Sequence, residues 1–260
     1  MVRRTGFVIF WLALPLCIQA QHADLNGIWQ SNNTANWDLE EHSSAAGLLP
    51  ALGAEGAVPP GLSVVEGGAI PYLAAATGKR KQNFATRLTG DPEIKCYLPG
   101  IPRAAYMPQP FQIVQSEKTI TMVYQFAGAV RTIPMIDVVP DPGPSPVLSW
   151  MGWSKGNWDG NTLVVDVTGF NDKTWFDRSG NYHSDQLHVV ERYTPRGSDI
   201  LLYEATIDDP KVFSRPWKIS MPLYRRVEKN AQLLEFRCVE YAEEMLYGDL
   251  RKQTEKKVTK

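Results

Sequence analysis

From residue 111 onward the chain is a succession of short segments rich in β-branched and aromatic residues, separated by polar turns. They recur at intervals of roughly a dozen residues, with no long helical pattern between them. Such a succession favours an antiparallel meander that closes into a barrel or a sandwich over any α/β fold. The predicted strands are FQIVQS, TITMVYQF, VRTIPM, VLSWMGWS, TLVVDVTGF, LHVVERYT, ILLYEATI, WKISMPLYRR and QLLEFRCVEY.

One pair of these segments predicts a hairpin. Asp159-Gly160 indicates a tight turn between SWMGWSKGNW and TLVVDVTGF, because glycine accepts the positive φ that such turns need. In the outgoing strand Leu163 and Val165 alternate with other residues, so that they share one apolar face. A calcium-loop interpretation fails, because Lys155 stands where an EF-hand needs an acid.

The chain before these strands contributes fewer regular elements. It predicts a short strand at Ile28 and Trp29, an Ala-, Gly- and Pro-rich loop over residues 43–78, and a helix in YLAAATGKRKQNFATRL. A further short helix is predicted over residues 242–250. The fold class is therefore all-β, an antiparallel meander closing into a barrel with short helices before and after it. The predicted division is a signal peptide (1–20), an N-terminal strand, loop and helix (21–90), the barrel domain (91–250) and a flexible tail (251–260).

The first 20 residues have the composition of a secretory signal peptide. Arg3 and Arg4 form its positive region, an apolar run covers residues 7–16, and Ala20 is a small residue before a plausible cleavage point. The apolar run is shorter than the roughly 20 residues that span a bilayer, and no later segment is apolar enough to do so. We predict a periplasmic or secreted protein without stable membrane insertion.

Export changes how the cysteines are interpreted. Removal of the signal takes away Cys17 and leaves Cys96 and Cys238, an even pair in an oxidising compartment. We predict a disulfide between them, and the alternative is two buried free thiols.

The overall charge is close to neutral. A count of 27 Lys+Arg against 28 Asp+Glu gives a formal net charge of -1, and loss of the two signal-peptide arginines gives -1 - 2 = -3. Neither value provides the basic field that nucleic-acid binding requires. The basic run at residues 79–81 is interpreted as the solvated face of the predicted helix.

The strongest candidate for chemistry is a group of polar side chains around the start of a predicted strand. His183 precedes that strand in a loop, and Asp177 and Glu191 lie near it in sequence. A histidine beside a carboxylate can act as a general base, because its pKa lies near neutrality and the acid orients its ring. We predict His183, Asp177 and Glu191 as a catalytic set. The alternatives are structural roles, with Asp177 capping a turn, His183 bonded to backbone and Glu191 at the barrel rim, or a metal site.

Motifs for other chemistries are missing from the sequence. It contains no G-x-S-x-G elbow, C-x-x-C, H-E-x-x-H, phosphate-binding P-loop or dinucleotide glycine fingerprint. We therefore expect no cofactor. We also predict no metal site, because the remaining histidines are remote in sequence from His183.

Aromatic residues form a second candidate site. Trp150, Trp153, Trp175 and Tyr106 are predicted to contact a ligand, and the alternative is that they belong to the core, since large rings dominate barrel interiors. Arg103 is predicted to pair with a carboxylate of the ligand. Its alternative role is a salt bridge at one end of the barrel.

Three stretches resemble motifs of a family of uncharacterised exported bacterial proteins. GNWDGNTLVVDV resembles that family's GRWEGDTLVVDT hairpin, CYLPGIPR (96–103) its C-P-x-G-x-PR segment, and CVEYAEEM from Cys238 its CHEGNY-like segment. The resemblance covers residues 91–250 and implies no established activity. The family's final histidine is Val239 here, so no metal role is carried over to that segment. LNGIWQ also resembles the Gly-x-Trp at the start of lipocalin barrels, which implies a lipocalin-like barrel.

These features predict an exported barrel that binds a small, largely apolar or aromatic molecule. The alternative is a cofactor-independent enzyme, such as an isomerase, cyclase, lyase or hydrolase, which uses His183 and its neighbouring acids at the barrel mouth. A third hypothesis is a structural protein of the envelope that binds partners through its barrel edge. No nucleic-acid partner is expected, and the sequence leaves the oligomeric state open.

Overall fold

The computed structural model describes residues 22–45, 57–141, 143, 147–242, 245–246 and 248–249. The predicted signal peptide and flexible tail lie outside these residues, as do parts of the Ala-, Gly- and Pro-rich loop and of the helix predicted for residues 242–250. Among the described residues, no helix combines the length and the apolar character needed to cross a membrane.

Nine antiparallel strands form one sheet that curls into a nearly closed barrel. Their order in the sheet is β4-β3-β2-β1-β9-β8-β7-β6-β5. The strands are β1 (Gly27–Ser31), β2 (Phe111–Gln115), β3 (Thr119–Tyr124), β4 (Val130–Pro134), β5 (Trp153–Asp159), β6 (Thr162–Thr168), β7 (His188–Pro195), β8 (Ile200–Asp208) and β9 (Trp217–Arg225).

Closure depends on the N-terminal strand and on contact between the two sheet edges. β1 pairs with β2 on one side and with β9 on the other, so it joins the two halves of the meander. At the remaining gap, Met135 forms a parallel bridge with Gly156, and the Ile136 N–H donates to the Gly156 carbonyl at 2.8 Å. A Cβ at Gly156 would lie 2.7 Å from the Met135 sulfur, so glycine permits this close approach. The predicted all-β barrel is confirmed.

The predicted hairpin is also present. Asp159 of β5 pairs with Thr162 of β6 across a two-residue turn in which Gly160 has φ +58°. Leu163 and Val165 are fully buried on the interior face of β6, as their alternation indicates. The hairpin therefore forms part of the barrel wall.

Two of the predicted strands differ from the structure. QLLEFRCVEY forms no strand, because β9 is already paired on both sides by β8 and β1 and the sheet has no free edge there. The strand predicted in VLSWMGWS begins only at Trp153, because the chain turns at Gly152 with φ +66°.

The helix predicted before the barrel is present in two parts. A 3-10 turn (Ala74–Ala76) leads into α1 (Thr77–Ala85), and α2 (Arg87–Gly90) follows it. Thr86 separates the two helices, because its φ of -104° and ψ of 11° are not helical. Two further 3-10 turns, Pro92–Lys95 and Arg103–Tyr106, follow before β2.

The two ends of the barrel are covered in different ways. The turns β2–β3, β5–β6 and β7–β8 share one end, called the hairpin end. There Leu25 is fully buried, and its N–H donates to Gln115 Oε1 at 2.8 Å. The opposite end, called the loop end, is covered by the buried turn Arg103–Tyr106 and by the loop over residues 170–187, where Phe176 contacts the Trp217 ring.

After β9 the chain returns to the loop end along the outside of the barrel. The Leu234 N–H donates to Gln125 Oε1 at 3.0 Å, just beyond the end of β3. Cys238 is then bonded to Cys96, with their Cα atoms 5.7 Å apart. The predicted disulfide is confirmed, and it fits a non-reducing compartment.

Candidate functional site

An ion pair spans the interior of the barrel. Arg131 of β4 and Glu191 of β7 approach to 2.5 Å between Nη2 and Oε2, with side-chain exposures of 3% and 0%. Strand alternation places both groups inside, because Val130 and Thr132 on either side of Arg131 are exposed on the outer face. Since β4 and β7 are not neighbours in the sheet, this pair connects separate parts of the wall.

Three hydroxyl groups complete this polar cluster. Tyr193 and Tyr203, which face each other on β7 and β8, both donate to Glu191 Oε1 at 2.9 Å. Burial, reinforced by the charge of Glu191, raises the pKa of both tyrosines well above its usual value. They therefore remain protonated donors at neutral pH. On the other side of the pair, Arg131 Nε donates to Ser154 Oγ at 2.8 Å.

One buried atom of the cluster has no hydrogen-bond partner, the Nη1 nitrogen of Arg131. Burial disfavours the guanidinium charge, but the charge of Glu191 outweighs this effect and raises the pKa of Arg131. Tyr124 lies nearby, and its hydroxyl donates to the Met122 sulfur at 3.3 Å. Burial raises the pKa of Tyr124 to about 12, although the charge of Arg131 opposes the increase. Nη1 is thus a buried, charged donor that makes no hydrogen bond of normal geometry, with the Tyr124 hydroxyl as a close neighbour of the guanidinium.

The remaining interior wall is apolar and contains several methionines. Met122 and Met135 are fully buried, and Met221 is 3% exposed. Methionine is unbranched and polarisable, so it adapts its packing to irregular neighbours. An apolar wall with a few fixed polar groups is the usual composition of a small-molecule site.

Arg103 is the centre of a second buried cluster, at the loop end. Its Nε donates to Asn36 Oδ1 at 2.8 Å, its Nη1 and Nη2 to the Asp91 carboxylate at 2.8 and 3.0 Å, and its Nη2 also to Glu93 Oε2 at 2.5 Å. Burial opposes the charge of Arg103, but Asp91 and Glu93 outweigh it and raise its pKa. The structure thus contains the salt bridge at a barrel end that we gave as the alternative role. Contact of Arg103 with a ligand stays a prediction.

The predicted catalytic residues are not joined by hydrogen bonds. His183 is fully buried, with Nδ1 at 2.8 Å from the Ser184 carbonyl and Nε2 at 2.6 Å from Thr174 Oγ1. A carbonyl only accepts, so Nδ1 carries the proton and Nε2 accepts from the threonine hydroxyl. Burial lowers the pKa of His183, which keeps the ring neutral. Glu191 lies in the barrel cluster instead, so a catalytic role for the set stays a prediction.

Asp177 belongs to the cover of the loop end. It accepts from the Leu39 N–H at 3.0 Å, the Asn181 N–H at 3.2 Å and Asn181 Nδ2 at 2.6 Å. Burial, with the charge of Asp38, raises the pKa of Asp177 to about 7. These bonds hold the loop against the N-terminal part of the chain, as the turn-capping alternative describes.

The predicted ligand-binding aromatics lie in different places. Tyr106 is buried at the loop end, and Trp175 packs partly buried against the core. Trp150 is half-buried outside the strands. Trp153 is 45% exposed on the outer face of β5, and its Nε1 donates to the Val147 carbonyl at 2.6 Å. These residues differ in burial, from 1% exposed for Tyr106 to 45% exposed for Trp153, and their role in binding stays a prediction.

Trp158 is the tryptophan of β5 that faces inward. It pairs with Leu163, which is fully buried, and lies at the hairpin end. His22 stacks on its ring with centroids 4.7 Å apart and an interplanar angle of 5°. Trp158 is partly buried against the core, so it occupies the boundary between the interior and the covering residues 22–26.

Sequence reasoning missed most of the barrel cluster. Arg131, Ser154 and Tyr193 were not singled out, although a usable signal was present. Arg131 has the same strand parity as Ile133, so a charge occupies the apolar face of a predicted strand. A buried charge needs a partner of opposite charge. That requirement predicts an acidic residue on the interior face of another strand.

The described part of the chain contains no group of three or more His, Cys, Asp and Glu side chains able to hold a metal ion. Comparisons of the chain with protein-family models, with curated proteins and with solved structures found no match. The family resemblance therefore remains an expectation drawn from the quoted motifs.

Proposed function

We propose that this protein is exported and binds a small, largely apolar molecule inside its barrel. The observation that carries the proposal is a compact polar cluster on an otherwise apolar, methionine-containing interior wall. Such a composition allows apolar contacts to supply affinity while a few polar groups fix orientation. The Cys96–Cys238 disulfide supports the part of the proposal that concerns export.

The hairpin end is the proposed route of entry. Its cover is a short extended segment that includes His22 and Leu25, held by Gln115 through two side-chain hydrogen bonds at 2.8 and 3.1 Å. The loop end is instead held by the buried ion pairs of Arg103 and by the bonds of Asp177. The described contacts of the hairpin-end cover include no buried ion pair, so it is the easier path for a ligand.

Binding is favoured over catalysis by the surroundings of His183. Its two ring nitrogens are occupied by Thr174 and Ser184, and neither partner is a carboxylate. A general base needs a free nitrogen within reach of the substrate. The barrel cluster has a free donor in Arg131 and so offers a binding contact without rearrangement.

The test is a titration with N-phenyl-1-naphthylamine, a neutral apolar fluorophore. We expect saturable fluorescence enhancement with the exported, oxidised protein. Ala205→Leu adds bulk on the interior face of β8, whereas Thr206→Leu adds similar bulk on its outer face. The first variant should weaken binding at least roughly tenfold, because overpacking removes space from the interior, and the second should leave it unchanged.

Circular dichroism must show that both variants are folded, and Ala205→Val is the milder substitute if Ala205→Leu is not. Absence of saturable binding to the wild-type protein would overturn the proposal. So would folded Ala205 variants that bind as well as the wild type, because the fluorophore would then occupy another surface.

A further inference from the structure

We infer that the ligand carries an uncharged oxygen acceptor, such as a ketone or ester carbonyl, which accepts a hydrogen bond from Nη1 of Arg131. This inference rests on the proposed function and specifies the chemical class of the molecule bound. It assigns to Arg131 the role of a specificity-determining residue.

Arg131 provides a buried hydrogen-bond donor. Arg131 is 4% exposed, its Nε is engaged by Ser154, and its Nη2 is engaged by Glu191. Nη1 alone has no acceptor. Buried polar atoms in folded proteins are almost always hydrogen-bonded, so an interior N–H of a charged group is a strong contact for any oxygen that reaches it.

The charge of the cluster favours a neutral ligand group over an anionic one. Glu191 already neutralises Arg131, and the other ionisable groups of the cluster, Tyr124, Tyr193 and Tyr203, are kept protonated by burial. A carboxylate ligand would bring a second negative charge beside Glu191 in a medium of low dielectric constant, where like charges repel strongly. A neutral carbonyl accepts the same hydrogen bond without that repulsion.

The side chains beside the donor are adaptable. Met122 is the residue paired with Arg131 across β3 and β4, and its sulfur accepts from Tyr124. A weak hydrogen bond to sulfur is readily exchanged, and a methionine side chain changes rotamer at low cost. The wall beside Nη1 can therefore adapt to a ligand, whereas the ion pair and the two tyrosines hold the donor in place.

The experiment compares three probes that share one ring system. The ketone is 6-propionyl-2-(dimethylamino)naphthalene, the carboxylate is 6-(dimethylamino)naphthalene-2-carboxylate, and 2-(dimethylamino)naphthalene lacks the carbonyl. Fluorescence titration of the wild-type protein should give a ketone affinity roughly 10- to 100-fold above that of the carbonyl-free probe, the value of a hydrogen bond to a charged donor. The carboxylate should bind more weakly than the ketone.

A double variant tests the residue. Arg131→Met with Glu191→Gln removes the donor, keeps the interior neutral, and leaves an amide oxygen to accept from Tyr193 and Tyr203. It should lower ketone affinity to that of the carbonyl-free probe and leave the latter unchanged. The matched control is Arg192→Met. Arg192 lies on β7, the strand of Glu191, but faces outward and pairs with Asp159. This variant should change neither affinity.

The outcomes separate this inference from the proposed function. If the carbonyl-free probe binds and the ketone binds no better, or the carboxylate binds best, the neutral-acceptor assignment is overturned while interior binding stands. Equal loss of both neutral probes in the folded double variant also overturns it. If none of the probes binds the wild-type protein, the proposed function itself fails. The wild-type comparison decides the matter even where the double variant does not fold.

Discussion

Arg131 and Glu191 are 60 residues apart in sequence, yet their side chains meet inside the barrel at 2.5 Å. Within the sheet, five strands separate β4 from β7 in one direction. In the other direction, across the gap between β4 and β5 that the Met135–Gly156 bridge closes, only β5 and β6 lie between β4 and β7. The ion pair therefore depends on closure, and it links the stability of the barrel to the geometry of the candidate site.

We predict that Glu191→Leu alone strongly destabilises the protein. Arg131 would be left as a buried charge without its partner, and breaking such a pair from one side costs about 3–5 kcal/mol. Adding Arg131→Met should recover much of the free energy of unfolding, because both charges are then gone. Urea denaturation of the wild type, the two single variants and the double variant measures the coupling. Losses that simply add would show that the two residues do not interact.

Loss of the disulfide should also lower stability. The sequence separation of 142 between Cys96 and Cys238 corresponds to about 4–5 kcal/mol by chain entropy, less any strain. Urea denaturation of a Cys96→Ser/Cys238→Ser variant checks this value, and wild-type protein in reductant should give a similar curve. Non-reducing peptide mapping that found both thiols free in exported material would contradict the expectation.

His183→Ala should destabilise the fold, in contrast to the small effect expected of a catalytic residue in an exposed loop. The ring is fully buried between Phe170 and Phe176 and bonded at both nitrogens. Removing a buried ring costs about 3 kcal/mol through lost contacts and the cavity left behind. Thermal and urea unfolding measure the loss.

The matched control is His188→Ala. Its imidazole pairs with Asp166 at 2.8 Å on the outer surface, with side-chain exposures of 41% and 49%. An exposed pair of this kind contributes about 1 kcal/mol or less. If His183→Ala were as mild as His188→Ala but abolished turnover of a confirmed substrate by roughly 10²- to 10⁴-fold, the catalytic hypothesis would be supported over the structural one.

The local features of the fold were predictable from the sequence. The hairpin at Gly160 and the alternation of Leu163 and Val165 are properties of a few adjacent residues, which is why the pattern alone identified them. The disulfide between Cys96 and Cys238 followed from the even number of cysteines that the predicted removal of the signal peptide leaves. None of these predictions required knowledge of which strands become neighbours.

What the sequence missed depends on non-local arrangement. QLLEFRCVEY has a strand pattern, but both edges of β9 are taken, so its residues remain outside the sheet. Trp153 lies on the outer face of β5. This orientation could not be predicted without knowing that the chain turns at Gly152 and that the strand begins at the next residue. Arg131 and Glu191 become partners only when the barrel closes, and no spacing rule relates their positions.

The stability contributed by Asp177 should depend on pH, because burial and the charge of Asp38 raise the pKa of this carboxyl to about 7. In the unfolded chain an aspartic acid titrates at about 3.9. The folded state therefore holds an extra proton between these values, and the stability due to Asp177 is full below the unfolded pKa and is lost as pH rises toward about 7. The stability of the wild type relative to Asp177→Asn should fall over this window, with a slope of at most about 1.4 kcal/mol per pH unit.

Asp185 provides a control of opposite sign. It is exposed, and the hydrogen bond from Lys211 lowers its pKa. The stability of the wild type relative to Asp185→Asn should therefore rise with pH as this carboxyl ionises. Urea denaturation from about pH 2 to pH 8 measures both differences, the rise for Asp185 below about pH 4 and the fall for Asp177 between about pH 4 and pH 7. A pH-independent difference for Asp177→Asn would mean that Asp177 stays ionised in the folded protein, and that the bonds from Leu39 and Asn181 compensate for its burial.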